Sequence, residues 1–371
     1  MAGTSREQTT RRPRPPRSGA RGLVAAAVAA LTALATGCGD GGAGGPSPEV
    51  WRFAIEETAG SVQDEVAREF ARRVAERTGG AVEVKVYPYG TLGTSDDLAE
   101  QAAMGSLQFA MASPGHLGKV IPEVQVFLLH FLFSDDDEVN RRALADPALA
   151  ARLEPLYEER GLRLLSVLFE GWMVWTTRKE VRRPSDFEGV KIRTMTSPLL
   201  LEAYRAYGAS PQSMPYAEVY GGLQLNMIDA QVNPVFAIEE MSFYEVTSHL
   251  VFAKPAPFVT TVVAHPGFLD GLSEERRAMV REVTAELEPY AFEVQREFNR
   301  ARLEEMLERK PELEVVELTE AERDAFRERS IPVRDSFVET AGASGRAVLD
   351  EVLAAVRRAE EAVATEATEA R

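Results

Sequence analysis

The chain has 371 residues, 45% of them hydrophobic and 27% charged, a composition that excludes a disordered protein and allows two hydrophobic cores. Its formal net charge of −16 excludes nucleic acid and anionic lipid surfaces as partners of the body of the protein. The single cysteine excludes a disulfide framework, and the four histidines lack the spacing of a metal site, so we expect no metal and no cofactor.

The first 37 residues have the three parts of a secretory signal. Six arginines lie between positions 6 and 21, an apolar run follows over residues 23–35, and the small residues Ala35-Thr36-Gly37 precede Cys38. The apolar run is too short to span a bilayer as a helix. We therefore predict an exported protein from which residues 1–37 are removed as a signal peptide.

Cys38 is the predicted attachment site of a lipid. The segment before it resembles the signal of bacterial lipoproteins, in which the cysteine receives lipid and becomes the first residue. This resemblance implies a periplasmic protein, or one on the outer face of the cytoplasmic membrane, held to the membrane only through Cys38. A plain signal peptide that leaves Cys38 as a free thiol is the alternative. The glycine-rich residues 38–49 are predicted to form a flexible tether.

From residue 50 onward, the apolar pattern alternates between strand and helix periods. The first unit has the order β-α-β-α-β, with strands at 51–55, 81–87 and 107–112 and helices at 61–78 and 95–104. A second unit repeats the pattern, with strands at 162–169, 173–177, 190–193 and 228–232 and helices at 198–207 and 216–226. A further strand is predicted at 259–264, and residues 273–309 form one long helix that can brace two lobes. This order predicts an α/β fold with helices on both faces of the sheets.

The sequence contains no catalytic constellation. It has no nucleophile elbow and no phosphate-binding loop, and its cysteine is far from every histidine. The acidic residues 135–138 after Ser134 are read as the start of a helix. Because open α/β sheets bind ligands beyond the carboxyl ends of their strands, we predict a solute receptor and not an enzyme. An exported enzyme that uses Glu57 or His116 as a base is the alternative, although neither residue has a partner visible in the sequence.

Ordered motifs along the chain resemble one family. They are Lys191-Ile-Arg193, Gly208-Ala-Ser-Pro211, Glu218-Val-Tyr220, Gly222-Leu-Gln224 and Gln231-Val-Asn233-Pro234, together with Tyr87-Pro, Gly90-x-Leu-Gly93 and Phe131-Leu-Phe133. Over about residues 50–300 the chain resembles the solute-binding proteins of TRAP transporters, tripartite ion-driven importers of the C4-dicarboxylate (DctP) type. Further blocks, such as Trp51-Arg-Phe-Ala with Glu56-Glu57 and Lys191-Ile-Arg-Thr-Met-Thr196, resemble the ectoine-binding receptors of halophilic bacteria within that family.

The resemblance implies a two-lobed fold like that of periplasmic binding proteins, each lobe a mixed sheet flanked by helices, with a long helix bridging the lobes. Lobe 1 is predicted to comprise residues 50–172, completed by about 259–298. Lobe 2 is predicted to comprise residues 173–258, completed by about 299–362. Residues 363–371 are predicted to be a frayed tail.

The resemblance also assigns roles to individual residues. Arg193 matches the arginine that grips a ligand carboxylate, and Asn233 matches an amide that binds the same group. Glu57 matches the acidic partner of a cationic ring, while Tyr216 and Phe258 match aromatic positions around that ring. Aromatic faces suit a delocalised cation.

Three positions that bear on the ligand depart from the pattern of the ectoine receptors or of the wider family. Tyr216 stands where those receptors have Trp, and His116 stands where they have Phe. Met173 stands where the wider family often has a second ligand-reading arginine. Its neighbour Trp172 is predicted either to add aromatic surface to the site or to pack in the hinge.

The charges of these residues favour one class of ligand. A dicarboxylate would bury its second negative group near Glu57, a mispairing that costs on the order of several kcal/mol. A zwitterion with one carboxylate satisfies Arg193 and Glu57 together. We therefore predict a receptor that captures an ectoine- or hydroxyectoine-like solute and delivers it to the membrane subunits of a TRAP permease. A dicarboxylate, 2-oxoacid, amino-acid-like or sugar-acid ligand, and a receptor that feeds a sensor kinase, are the alternatives.

Overall fold

The computed structural model of the protein describes residues 47–369. The predicted signal peptide, Cys38 and the tether up to residue 46 lie outside the described residues. Within residues 47–369, no helix is both long and apolar enough to cross a bilayer. The same residues contain no group of three or more histidine, cysteine or acidic side chains placed to hold a metal ion.

Eleven strands and eleven α-helices make up most of the described chain. The strands are β1 (Glu49–Ala54), β2 (Val82–Tyr87), β3 (Phe109–Ala112), β4 (Arg163–Trp172), β5 (Val174–Thr177), β6 (Ile192–Thr194), β7 (Gln212–Ser213), β8 (Ala230–Asn233), β9 (His249–Phe252), β10 (Pro257–Ala264) and β11 (Glu314–Glu317). The helices are α1 (Val62–Arg77), α2 (Ser95–Ala103), α3 (Pro114–Leu117), α4 (Asp137–Leu144), α5 (Pro147–Glu158), α6 (Pro198–Ala206), α7 (Val219–Gln224), α8 (Val235–Glu240), α9 (Pro266–Gly271), α10 (Glu274–Arg309) and α11 (Glu320–Glu369).

The first sheet has five strands in the order β2-β1-β3-β10-β4. Strand β1 is parallel to β2 and β3, whereas β10 is antiparallel to β3 and β4. Trp51 and Phe53 alternate along β1, and together with Ile55 just after the strand they pack with Val66 and Phe70 of α1. This packing fixes the carboxyl end of β1, where the chain leaves the sheet.

The second sheet has six strands in the order β11-β9-β5-β8-β6-β7. Strand β5 is antiparallel to β8 and β9, whereas β6 is parallel to β7 and β8. In this register Arg193 on β6 lies beside Gln231 on β8. Both sheets are mixed and carry flanking helices, which confirms the predicted α/β architecture.

The chain crosses between the two sheets twice. Met173 separates β4 of the first sheet from β5 of the second, and residues 253–256 separate β9 from β10. The backbone amide of Met173 donates a hydrogen bond to the carbonyl of Ala256 at 3.0 Å. The two crossings therefore lie side by side.

Helix α10 spans 36 residues and links the two lobes, as the sequence predicts. The side chain of Ser273 caps its first turn by accepting a hydrogen bond from the amide of Arg276. Helix α10 packs against α1 and β4 beside the first sheet, and against α8 beside the second. One continuous helix therefore connects elements that belong to both sheets.

Helix α11 also contacts both parts of the molecule and bends at Gly342, whose φ of 66° interrupts the helix. It packs against α4 and α5 on one side and against α6 on the other. The prediction of a frayed tail from residue 363 is wrong for the described part of that tail, because α11 is helical to Glu369. Both terminal nitrogens of Arg142 donate to the Glu366 carboxylate at 2.7 Å, and this pair holds the last turns on α4.

The acidic run at residues 135–138 begins helix α4, as predicted. Asp136 is the N-cap, and its carboxylate accepts hydrogen bonds from the backbone amides of Glu138 and Val139 at 2.8 and 3.3 Å. Acidic groups at this position also face the positive end of the helix dipole. The run is therefore a helix start.

Candidate ligand-binding site

A cavity lies where the carboxyl end of β1 meets strands β6 and β8 of the second sheet. Its lining comes from both sheets and comprises Glu56, Glu57, Ser95, Ser113, His116, Arg193, Met195, Tyr216, Asn233, Ala237 and Phe258. Six of the seven ligand-contacting residues predicted from the sequence are brought together here, and Trp172 is not.

Side chains from the two lobes meet at the edge of this cavity. The hydroxyl of Thr58 donates to the Glu240 carboxylate at 3.3 Å. The rings of Tyr89 and Tyr216 pack edge to face with 5.7 Å between their centroids. The cavity is therefore bounded by contacts between the lobes as well as by each lobe alone.

Arg193 supplies a buried positive charge to the wall of the cavity. Only 1% of its surface is exposed, and its Nε donates to the carbonyl of Met214 at 2.9 Å. Its Nη1 has no hydrogen-bond partner among the described residues. Burial lowers the pKa of Arg193 to about 10, so the guanidinium remains charged at neutral pH. A charged group with an unused donor is suited to binding a carboxylate.

Asn233 lies at the end of β8, one strand away from Arg193. Its amide nitrogen donates to the side-chain oxygen of Gln231, and the Gln231 amide in turn donates to the Thr176 hydroxyl at 3.0 Å. These bonds run within the second sheet and fix the orientation of the Asn233 side chain. The sheet therefore presents an oriented amide on the same wall as the guanidinium.

Glu57 brings a carboxyl group to the cavity from the loop after β1. It is 3% exposed, and its Oε2 accepts a hydrogen bond from the backbone amide of Gln63 at 3.2 Å. Its Oε1 is buried without a hydrogen-bond partner among the described residues. Burial raises the pKa of Glu57 well above its usual value, and the charges of Glu170 and Glu240 raise it further.

Glu56 is a second carboxyl on the cavity wall, and the sequence reasoning gave it no role. Its Oε2 accepts a hydrogen bond from the amide of Ser113 at 2.8 Å, while its Oε1 has no partner among the described residues. Burial raises the pKa of Glu56, and the nearby His116 opposes that shift. The adjacency of two glutamates at a strand end is the signal that could have identified it.

Tyr216 and Phe258 supply aromatic surface to the cavity. Each is 8% exposed, and the Tyr216 hydroxyl donates to the carbonyl of Ala237 at 3.3 Å. The ring of Tyr216 also packs edge to face against Phe243, with 5.8 Å between centroids. The Tyr216 ring is thus held in place by these contacts before any ligand contact.

His116 lies on α3 at the rim of the cavity. Its Nδ1 is 2.9 Å from a carboxylate oxygen of Asp96 and 3.3 Å from the hydroxyl of Thr196, so it bridges α2 and the segment after β6. The hydrogen bond to His116 lowers the pKa of Asp96, and the bond from Lys119 contributes as well. His116 therefore joins the two walls of the cavity and faces its interior.

Trp172 does not line the cavity. Of the two roles predicted for it, packing in the hinge and adding aromatic surface to the site, the first matches its position at the crossover between sheets. Its indole nitrogen donates to Asp137 at 2.7 Å, and the ammonium of Lys254 lies 5.3 Å from the ring centroid. Trp172 lines a separate cavity with Asp137 and Lys254, whereas Met173 lines the cavity that adjoins the site.

A second cavity, which Met173 lines, adjoins the first. The two share Ser113, Met195 and Phe258, and the second also includes Val232. The position at which the wider family often has a second arginine thus carries an uncharged thioether next to the site. Among the described residues that line the first cavity, the basic side chains are Arg193 and His116.

Ser113 and Met195 are lining residues that the sequence reasoning did not select as ligand contacts. They lie on opposite lobes, with 3.9 Å between the Ser113 hydroxyl and the Met195 sulfur. A Cβ at Gly115 would lie 2.5 Å from that sulfur, so a larger residue there would require the Met195 side chain to move. The Ser-Pro-Gly motif at residues 113–115 was the available signal.

Comparison with known proteins identifies the class of this molecule. Residues 53–340 match the family of bacterial extracellular solute-binding proteins, family 7 (DctP). The match covers most of the chain, so the protein belongs to this family. It is a solute-binding receptor of the TRAP type, as the motifs and the two-lobed fold indicate.

Three relatives show where the protein lies within the family. The ectoine/5-hydroxyectoine-binding periplasmic protein UehA of Ruegeria pomeroyi is 38% identical over 90% of this chain and 95% of its own length. The ectoine-binding periplasmic protein TeaA of Halomonas elongata is 39% identical over 81% of this chain and 88% of its own length. The TeaA structure superposes with a TM-score of 0.81, covering 84% of this chain and all of TeaA. An apo, open TRAP solute-binding protein of Marinobacter aquaeolei is 45% identical, covers 82% of this chain and 99% of its own, and has a TM-score of 0.78.

Proposed function

We propose that this receptor binds a small zwitterion of the ectoine or hydroxyectoine type. The observation that carries this proposal is that two buried groups of opposite charge type line one cavity and have no hydrogen-bond partner among the described residues. They are Nη1 of Arg193 on the second lobe and Oε1 of Glu57 on the first. The two relatives whose names include ectoine support the same ligand class. A solute with one carboxylate and one delocalised cation satisfies both groups at once.

The carboxylate of the ligand is placed at Arg193 and Asn233. A guanidinium donates two parallel hydrogen bonds to a carboxylate, and Asn233 adds a neutral amide donor from the adjacent strand. Because Arg193 is already held by the Met214 carbonyl, little side-chain entropy is lost when the ligand binds.

The cation of the ligand is placed between Glu57 and the two aromatic rings. A carboxylate gives directional hydrogen bonds to a protonated amidine, while Tyr216 and Phe258 offer their faces, each contact contributing about 0.5–2 kcal/mol. His116 on the rim is positioned for the added hydroxyl of hydroxyectoine. A dianionic solute would meet Glu56 and Glu57 without a second basic residue, and the thioether of Met173 cannot replace one.

Capture is proposed to proceed by closure of the two lobes. We place lobe 1 at residues 50–172 with 259–298, and lobe 2 at 173–258 with 299–362, although α11 contacts both. The paired crossings at Met173 and Ala256 form the hinge. Closure changes the outer surface, and the membrane subunits of the TRAP permease read that change. The protein then acts outside the cytoplasmic membrane, anchored at Cys38, and performs no chemistry on the solute.

A thermal-shift screen tests the ligand class. The protein without its leader is heated with ectoine, hydroxyectoine, an amino acid, a 2-oxoacid, succinate and glucuronate in turn. Ectoine or hydroxyectoine is expected to raise the melting temperature most, since a ligand at about one hundred times its Kd stabilises the folded state by about 2.7 kcal/mol.

Succinate serves as the internal control of this screen, because it has the carboxylate but not the cation. A large shift with succinate and none with ectoine or hydroxyectoine would contradict the proposal. Closure itself is checked by small-angle scattering, which should show a smaller radius of gyration when the ligand that gives the largest shift is added.

A further inference from the structure

Three carboxyl groups from distant parts of the chain meet at one end of the cavity. Glu57 follows β1, Glu170 lies in β4 and Glu240 ends α8. The backbone amide of Gln63 donates to Glu57 at 3.2 Å, and its side-chain amide donates to Glu170 at 3.3 Å. Thr58, the residue after Glu57, donates to Glu240 at 3.3 Å. Glu57 lines the cavity, whereas Glu170 and Glu240 are not among its lining residues.

This cluster, Glu57 with Glu170 and Glu240, is not neutralised by ion pairs among the described residues. Each of the three carboxyls has one oxygen that is buried without a hydrogen-bond partner in the described part of the chain. The residue before Glu240 in α8 differs, because Glu239 forms ion pairs with Arg302 and Arg309 at 3.3 and 3.1 Å. The cluster therefore holds more negative charge than its surroundings balance.

The groups that face the cluster from neighbouring elements are mostly acidic or neutral. They are Glu56 beside Glu57, Asp64 and Gln63 on α1, Tyr216 before α7, Glu239 on α8, Thr260 on β10 and Arg302 on α10. Of these, Arg302 is the basic group, and it acts on Glu240 from its ion pair with Glu239. A cation from outside the protein would therefore be attracted to this place.

Burial is the largest cause of the raised pKa values of the three carboxyl groups. It raises the pKa of Glu57 well above its usual value, and it raises the pKa of Glu170 and of Glu240 to about 8. The charges of Glu170 and Glu240 add to the rise in the pKa of Glu57, and the charge of Glu240 adds to the rise in the pKa of Glu170. At neutral pH part of the cluster therefore carries protons.

We propose, building on the zwitterion-binding function above, that Glu170 and Glu240 are specificity-determining residues of this receptor. They share protons with Glu57 until the cationic group of a ligand arrives next to Glu57, and the ligand then displaces a proton from the cluster to the solvent. The carboxylic acid O–H bond breaks, its proton goes to buffer, and the carboxylate that remains faces the ligand cation. Neither residue touches the ligand.

The sign of the resulting pH dependence follows from linkage. A cation favours the ionised carboxyl groups, so binding releases protons and the association constant rises with pH up to about pH 8. Each proton released corresponds to about a tenfold rise per pH unit. An anionic ligand has the opposite effect, because it favours protonated carboxyls and takes protons up.

Isothermal titration of the leaderless protein with ectoine measures this release. Titrations at about pH 7 in two buffers of different ionisation enthalpy give the number of protons exchanged, and a series between about pH 6 and about pH 8 gives the slope of affinity. The expected result is a net release of about 0.3–1 proton per ectoine, with affinity that increases over the series.

Glu170→Gln and Glu240→Gln are the test variants, and Glu288→Gln is the matched control. Glu288 is a half-buried carboxyl whose pKa is also raised by burial, but it pairs with Arg141 on α4, outside the cluster. Each test variant is expected to release fewer protons and to bind ectoine about three- to tenfold more weakly at about pH 8. The control is expected to match the wild type in both measurements, and thermal unfolding without ligand checks that every variant is folded.

The outcomes separate this inference from the function on which it rests. Ectoine binding with no proton release, or with the same release in both test variants as in the wild type, overturns the inference alone. Absence of binding at every pH with ectoine and with hydroxyectoine overturns the proposed function and the inference together. Proton uptake in place of release also overturns the inference.

Discussion

At the scale of single residues, Arg193 sets the chemistry of the cavity. A buried charge without an ion-pair partner lowers the stability of the folded protein by on the order of several kcal/mol. A bound carboxylate offsets that cost. Its Nε is committed to the Met214 carbonyl, while Nη1 has no partner among residues 47–369. The guanidinium is therefore oriented in advance and still has donors to offer.

Replacement of Arg193 tests this role. Arg193→Ala is expected to weaken ligand binding about a hundredfold or more, because both charge and hydrogen bonds are lost. Arg193→Lys keeps the charge without the planar pair of donors and is expected to lose about tenfold. Titration calorimetry with the ligand identified by the screen measures both. Arg205→Ala, at an exposed position on α6, is the control, and binding that is unchanged in Arg193→Ala would remove Arg193 from the site.

At the scale of one element, the end of β4 decides which side chain reaches the ligand side. Trp172 and Met173 are neighbours, yet they line different cavities. Trp172 is held by Asp137 and Lys254, whereas Met173 lines the cavity that adjoins the site. These contacts keep the tryptophan away from the candidate ligand site.

Trp172→Phe is expected to affect stability and not binding. The substitution keeps an aromatic ring and loses the 2.7 Å hydrogen bond to Asp137, which lowers the free energy of unfolding by about 0.5–1.5 kcal/mol. Urea denaturation measures the loss, and titration with ligand should give an unaltered Kd. A Kd that rises tenfold or more would show that the indole belongs to the site after all.

At the scale of the whole molecule, a buried histidine joins the two lobes and helix α11. The Nδ1 of His130, which follows the short helix Pro122–Leu128, lies 2.6 Å from the hydroxyl of Tyr207 at the end of α6. Ser330 on α11 lies against the carbonyl of the same residue, with 3.5 Å between the oxygens. Burial lowers the pKa of His130 to about 3, so the imidazole is neutral in the folded protein.

His130 should make the stability of the protein depend on pH in a defined direction. The folded state has the lower pKa and the unfolded state the ordinary one, so this contribution is complete above about pH 6.5 and is lost as the pH falls towards 3. The loss attributable to His130 is expected to be about 2 kcal/mol at about pH 5. Urea unfolding at about pH 7 and about pH 5 measures it, with His130→Gln as the reference. Equal pH dependence in the two proteins would contradict the assignment.

Much of this organisation could be predicted from the amino-acid sequence. Apolar periods of two and of about 3.6 determined the strands and helices, because these periods reflect which side chains can share one face. Capping groups such as Ser61, Asp136 and Ser273 determined where helices begin, since each cap depends on contacts within a few residues. Motif resemblance placed Arg193, Asn233 and Glu57 at one site.

Only the tertiary structure decided what depends on residues far apart in the chain. Glu170 and Glu240 become neighbours of Glu57 because α1, β4 and α8 pack together, and no local pattern records that meeting. The direction of Trp172 was likewise set by the crossover between sheets, and the end of α11 by its ion pair with α4. Local sequence determines periodicity and caps, whereas burial and its effect on charge arise only when distant segments enclose a common space.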